Sequence, residues 1–248
     1  MPQPRHLGND VVAMTSPRCR GKADDARFLR RVFSPKERQA IATSVSPETS
    51  LWLHWAGKEA IYKSATKALG APPVFHHDRF QLSFLGDPFQ NPMNSRIIRG
   101  TGSYEELSFQ LRVDLQPDFV HALAWERSAG TDEYEADTVV WQTLQRKEEG
   151  EREGDLRESF SQQEWDCISH RASALTRLGA RKALATTLGL DERRVEVRCG
   201  PGAPGRRVPL VFLDGSEIPL DLSLSHDAHL MAWAFLRPTA GIYLSQGL

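Results

Sequence analysis

Apolar positions change period several times along this chain. Over Leu51–Lys67, LWLHWAGKEAIYKSATK, they recur at helical spacing through Trp52, Trp55, Ala56 and Ala60, continuing to Ala65 and Leu69. Gly57 alone disfavours a helix there, at a cost a long helix tolerates. Before it, Leu7–Met14 reads as a short strand, and Ser34, Pro35 and Glu37 form an S-P-x-E capping box that opens another helix. A Ser/Pro-rich linker, SVSPETS, then leads into the tryptophan helix. After Pro72 and Pro73 the pattern alternates, predicting strands in HHDRFQLSFLG, YEELSFQLRVDL and DFVHALAWE. Farther on, WDCISHRASALTRLGARKALATTLG carries Leu175, Leu178, Leu184 and Leu188 as a helical stripe, with Gly189 as its stop. Strands RVEVRC and VPLVFL follow, then a turn at Asp214-Gly215 and the closing pair in IPLDLSLSHDAHLMAWAFL.

The two halves share an order. Each has a helix ending in LG, then strands, then an alanine-tryptophan strand, HALAWE in one and HLMAWAF in the other. This predicts an α+β fold of two similar lobes related by pseudo-twofold symmetry, with one site at their seam. A charged connector, partly helical or loose and holding the short strand VVWQTLQ, separates them. The expected division is 1–130, connector 131–160, and 161–248. A chain that builds its own seam is most simply a monomer.

Composition narrows the classes. Charged residues make up 25% and the formal net charge is −1, which argues against a dedicated nucleic-acid binder. No stretch is long and apolar enough for a membrane span, and no apolar run suggests a signal peptide, so a cytoplasmic protein is expected. Cys19, Cys167 and Cys199 are far apart in sequence and form no C-x-x-C, which predicts free thiols in a reducing compartment. His76 and His77 lack acidic or cysteine neighbours at ligand spacing and read as surface residues.

The chemistry lies near the tryptophan helix. Glu59 and Lys63 are four residues apart and share a helix face. Asp10, in GND on the first strand, is a candidate partner for Glu59. Two such carboxylates suit a hard divalent ion, with Mg²⁺ keeping waters and phosphate oxygens in its remaining positions. Lys63 would then meet the same phosphates. Ser225 and His226 in SLSHD offer a hydroxyl and an imidazole for a second phosphate; with Asp227 they are adjacent on a strand, so they point to opposite faces and do not form a hydrolase triad. There is no P-loop and no dinucleotide-binding glycine fingerprint.

These residues resemble the motifs of the 4′-phosphopantetheinyl transferase superfamily. GND at Gly8–Asp10 is similar to its G-x-D motif, WAGKEAIYK at Trp55–Lys63 to its W-x-x-K-E-A-x-x-K motif, and SLSHD at Ser223–Asp227 to its serine-histidine strand. RFLRRVFSPKE resembles the segment before the second motif in short holo-acyl-carrier-protein synthases. In two-domain members the serine-histidine strand precedes G-x-D, whereas here it comes last, and Val12 stands where those members carry a further glutamate. The resemblance implies Mg²⁺ or Mn²⁺ on Asp10 and Glu59, and coenzyme A across the seam. It places Lys58 and Lys63 on the transferring phosphoryl group, and Ser225, His226 and one of Arg177, Arg181 or Lys182 (Arg181 foremost) on the 3′-phosphate. An apo acyl or peptidyl carrier protein would be the acceptor, docked on Arg27, Arg30 and Arg31, with Glu59 as base. The rival readings are a catalytically silent module that binds coenzyme A or carrier protein, and a metal-dependent phosphohydrolase.

Overall fold

A computed structural model of the chain describes residues 6–74, 76–86, 96–127, 139–145, 153–201 and 207–237. Among the described residues the fold is mixed α+β with three antiparallel sheets. The first has five strands, β1 (Leu7–Ala13), β2 (Gln81–Phe84), β3 (Arg96–Tyr104), β4 (Leu107–Leu115) and β5 (Phe119–Glu126), in the order β1-β5-β4-β3-β2. Helices α1 (Ala26–Val32), α2 (Pro35–Thr43) and α3 (Pro47–Ala68) lie between β1 and β2 in the chain.

Helix α3 crosses this sheet and buries Leu53, Ala56, Ala60, Ile61 and Ala65 against Val12, Val120, Ala122 and Ala124. Small residues dominate the contact, so helix and strand backbones come close. At Gly8 an added Cβ would stand 2.0 Å from the Ala60 carbonyl oxygen and 2.6 Å from the Ser64 nitrogen. Glycine is therefore obligatory at that crossing. The helix begins earlier than periodicity suggested: Pro47 occupies its first turn, so the Ser/Pro stretch is the helix start. The capping box at Ser34 and Glu37 forms as expected. Strand β3, RIIRGTGSY, escaped the pattern because Gly100 and Gly102 interrupt its alternation. At Gly102 an added Cβ would stand 2.2 Å from the Ile61 Cδ1 of α3, which would have to move aside.

The remainder holds two three-stranded sheets. One orders β10 (Leu222–Asp227), β11 (Leu230–Leu236) and β6 (Val139–Gln145); the other orders β7 (Val195–Cys199), β8 (Pro209–Leu213) and β9 (Ser216–Ile218). Helices α4 (Glu153–Glu158), α5 (Gln162–Trp165) and α6 (Arg171–Leu188) precede β7. Trp233 of β11 is buried beneath α6, where Gly179 leaves room for its ring. The order β1-β5-β4 recurs as β6-β11-β10. The VVWQTLQ segment is β6, paired along its length with β11, and part of the expected connector beyond it is α4. Residues 131–138 and 146–152 of that connector lie outside the described residues. No helix among the described residues is long and apolar enough to cross a membrane.

One expectation is overturned. Cys167 and Cys199 form a disulfide, their Cα atoms 5.7 Å apart, and only Cys19 is a free thiol. Sequence separation hid the pair because the turn after α5 folds back over the end of β7.

A candidate active site between β1, α3 and β10

Strand β1 is an edge of the five-stranded sheet, and its outer backbone edge is closed by side chains of β10. The Leu7, Asn9, Val11 and Ala13 amides donate respectively to Asp221 Oδ2 (2.5 Å), Ser223 Oγ (2.9 Å), Ser225 Oγ (3.1 Å) and Asp227 Oδ2 (2.9 Å). Every pair is 214 residues apart, so the two strands run parallel and in step. The period-two pattern Asp-x-Ser-x-Ser-x-Asp of DLSLSHD supplies an acceptor for each free amide. Two lysines of α3 fill the carbonyl side. Lys63 Nζ donates to the Asn9 carbonyl at 2.8 Å and reaches that of Leu224 at 3.5 Å, while Lys67 bonds the carbonyls of Leu7 and Leu222 and the Asp221 carboxylate. One helical turn between lysines thus matches two residues along each strand.

This junction sets the candidate site. Gly8, Asp10 and Val12 share the β1 face turned to α3, and the close crossing at Gly8 brings Asp10 beside Glu59 and Lys63. Lys63 Nζ donates to Asp10 Oδ1 at 3.0 Å, and the Ser225 hydroxyl donates to the same oxygen at 2.9 Å. Asp10 Oδ2 makes no hydrogen bond among the described residues. Glu59 is half-buried, and its carboxyl is pushed up to about 7, first by burial and then by the negative charge of Asp10, with Lys63 opposing. Two carboxylates at one place, with a single ammonium bonded to one of them, leave negative charge uncompensated. Such a donor set fits a hard cation with oxygen ligands.

Several expected site residues sit elsewhere or act differently. Lys58 is fully buried and points away from Glu59; its ammonium bonds Glu37 at 2.8 Å and the carbonyls of His77 (2.7 Å) and Phe80 (2.8 Å). With a side chain 0% exposed and its ammonium enclosed by these three acceptors, Lys58 is out of reach of a phosphate, whereas Lys63, which also has three partners, is 30% exposed at the junction. Ser225 is buried and accepts from Val11 while donating to Asp10, so it holds the carboxylate and offers nothing to a ligand phosphate. Arg181 is engaged by Glu192 at 3.1 Å, Glu164 at 3.5 Å and the Ser159 carbonyl at 2.8 Å. Arg177 is the α6 cation near His226, close enough for its charge to help depress that histidine, after burial, His170 and Lys63. His226 itself is exposed and meets the His170 ring edge-on at 4.6 Å. His170 caps α6, accepting from the Ser173 amide, which is why it stands at this place. Arg27, Arg30 and Arg31 are exposed on α1. His76 is exposed, but His77 is partly buried and packs on Trp55 at 5.1 Å.

Behind Asp10, on the opposite β1 face, Asn9 and His121 are buried in an uncharged network. Asn9 Nδ2 donates to His121 Nε2 at 3.0 Å, and His121 Nδ1 meets Thr143 Oγ1 at 2.8 Å. Burial pushes His121 down to about 3, so it stays neutral there. His170, Lys67 and this network were not singled out beforehand; the i+4 step from Lys63 and the Asp-x-Ser-x-Ser-x-Asp period were signals available for the seam. Residues 6–124 match the model of the 4′-phosphopantetheinyl transferase superfamily, a stretch that ends on β5 and so excludes the strand bearing Ser225 and His226. No curated protein matches the chain.

Proposed function

We propose, from the match of residues 6–124 to the model of the 4′-phosphopantetheinyl transferase superfamily, that the chain transfers phosphopantetheine from coenzyme A to a serine of an apo acyl or peptidyl carrier protein. The convergence of Asp10, Glu59 and Lys63 at one point carries the reading. Asp10 Oδ2 and Glu59 would hold Mg²⁺, with Mn²⁺ as an alternative, and that ion neutralises pyrophosphate charge when bound. Lys63 is held by Asp10 and two strand carbonyls, so its charge is fixed in place before substrate arrives. Ser225 is a positioning residue, fixing the Asp10 oxygen that faces Lys63.

His226, with His170 and Arg177 close by, supplies the groups for the 3′-phosphate of coenzyme A. The carrier serine oxygen attacks the β-phosphorus, its bond to phosphorus forms as the bond to 3′,5′-ADP breaks, and Glu59 takes the serine proton. In the metal-free protein burial and Asp10 raise this carboxyl to about 7; beside a bound cation it would be ionised and able to accept that proton. The exposed arginines Arg27, Arg30 and Arg31 are the dock for the acidic surface of the carrier. The repeated strand order supports two lobes related by a pseudo-twofold axis, with both sides of the site on one chain and no second copy required.

Mass spectrometry of an apo carrier protein incubated with the chain, coenzyme A and Mg²⁺ tests this. A mass gain of one phosphopantetheine group, lost in Lys63→Met, is the expected result. No gain on fatty-acid, polyketide or nonribosomal-peptide carriers, with coenzyme A still bound by the folded protein, would make it a silent binding member. Release of 3′,5′-ADP with no carrier present would make it a hydrolase.

A further inference from the structure

The Cys167–Cys199 disulfide lies just ahead of His170, the residue that caps α6 and meets His226. Its two ends are held differently. Cys199 closes β7, which pairs along its length with β8 and buries Val195 and Val197. The Val197 amide donates to Glu164 Oε1 at 2.9 Å, and Ser161 Oγ donates to Glu196 Oε2 at 2.7 Å, so α5 is also tied to this strand. Residues 166–170 have fewer holds. Among the described residues, their covalent, hydrogen-bonded and ring contacts beyond 162–174 are the disulfide, a bond from Arg207 to the Asp166 carbonyl (3.2 Å), and the meeting of His170 with His226. Both cysteines are partly exposed, so a solvent thiol can reach the bond.

The turn so tethered carries ligand groups. His170 Nδ1 accepts from the Ser173 amide at 3.3 Å, which places the ring proton on Nε2, the donor left for a ligand oxygen. Ser173 Oγ accepts from Arg177 Nη1 at 2.6 Å, and Arg177 Nε is buried with no hydrogen-bond partner among the described residues. Both His170 and Arg177 therefore take their places from the first turn of α6, and helix ends are the parts that open most readily.

We propose that the Cys167–Cys199 bond is a redox-opened tether for this first turn, so that its reduction weakens the grip on a 3′-phosphate while the rest of the chain stays folded. The inference rests on the assignment of His226, His170 and Arg177 to that phosphate. A thiolate of a dithiol reductant attacks one sulfur, forming a mixed disulfide and releasing the other cysteine as a thiolate. The second thiol of the reductant then breaks the mixed disulfide, and the reductant leaves as its own disulfide. Two electrons pass to the cysteine pair, and the two protons of the dithiol end on Cys167 and Cys199. Residues 166–170 lose their covalent hold on β7, whereas Val195 and Val197 remain buried and paired, which confines the change to the turn and the helix start.

The probe is 3′,5′-ADP, which carries the 3′-phosphate and no thiol, with AMP as the control lacking that phosphate. Calorimetric titration of the oxidised full chain should show 3′,5′-ADP preferred over AMP by at least about tenfold. Dithiothreitol should remove most of that preference and leave the AMP affinity unchanged. Hydrogen exchange at the Ser173 amide should quicken on reduction while that of Leu184, deeper in the same helix, holds. The double variant Cys167→Ser, Cys199→Ser should match reduced wild type and ignore the reductant. A preference that survives reduction, or unchanged exchange at Ser173, would overturn the tether alone. Equal loss of both nucleotides, or unfolding on reduction seen by circular dichroism, would make the bond a general staple and overturn it as well. No preference in the oxidised protein would strike the phosphate assignment itself, and this proposal with it.

Discussion

Glu59→Gln should stabilise the metal-free protein, and increasingly so as pH rises. The carboxyl of Glu59 stands at about 7 against an ordinary 4.5, raised by burial and by Asp10. A carboxyl raised in the folded state binds its proton more tightly there than in the unfolded chain. Below 4.5 both states hold the proton and nothing is lost. Between 4.5 and 7 the unfolded chain releases it first, so stability falls, and above 7 the full penalty persists. At roughly 1.4 kcal/mol per pH unit, the penalty reaches about 3 kcal/mol at pH 8. Glutamine has nearly the same shape and cannot ionise, so it escapes that penalty. Urea unfolding of wild type and variant, in chelator at pH 4.5, 6 and 8, should show a gap opening from about zero to about 3 kcal/mol in favour of glutamine. Repeating the pair in an Asp10→Asn background should narrow the gap, because the second cause of the shift is gone. Adding Mg²⁺ at pH 8 should stabilise wild type more than Glu59→Gln, by mass action on the carboxylate pair. A gap independent of pH, or a variant less stable at pH 8, would refute the placement of Glu59 beside Asp10.

Lys58→Met should destabilise by about 3–5 kcal/mol, since it strands the buried Glu37 carboxylate. The fraction that remains folded should transfer normally; a stable variant with weakened coenzyme A affinity would return Lys58 to the site. Gly8→Ala must push backbone apart at Ala60 and Ser64, costing at least about 1–3 kcal/mol in denaturant titrations and reducing transfer by separating Asp10 from Glu59. Wild-type stability and activity in this variant would disprove the close crossing. Removing the Cys167–Cys199 link, which spans 32 residues, should lower stability by about 3–4 kcal/mol through loop-closure entropy. Thiol titration of denatured, unreduced protein should find Cys19 alone; reaction of all three cysteines would remove the link.

Much of the architecture was written in local pattern. The tryptophan helix, the Ser34 capping box, the Gly189 stop and most strands followed from side-chain periodicity and from residues with fixed backbone preferences, which act within a few positions of themselves. Glu59 and Lys63 on one helix face were equally local. Strand β3 was not, because its glycines answer to Ile61 and to the neighbouring strand, contacts that exist only once the helix lies on the sheet.

The roles of the polar residues depended on long-range contact throughout. Lys58 and Lys63 are five residues apart, yet one is sealed against Glu37 and the other lies at the junction, since a helix turns them to different sides. Ser225 and His226 are adjacent, and the strand gives one to Asp10 and the other to His170. Cys167 and Cys199 meet only because α5 folds back beside β7. The order of amino acids along β10 decided that acceptors would recur every second residue; only folding, which brought the bare edge of β1 alongside, determined that they would close a sheet instead of holding a ligand, because an unpaired backbone amide buried there must find an acceptor.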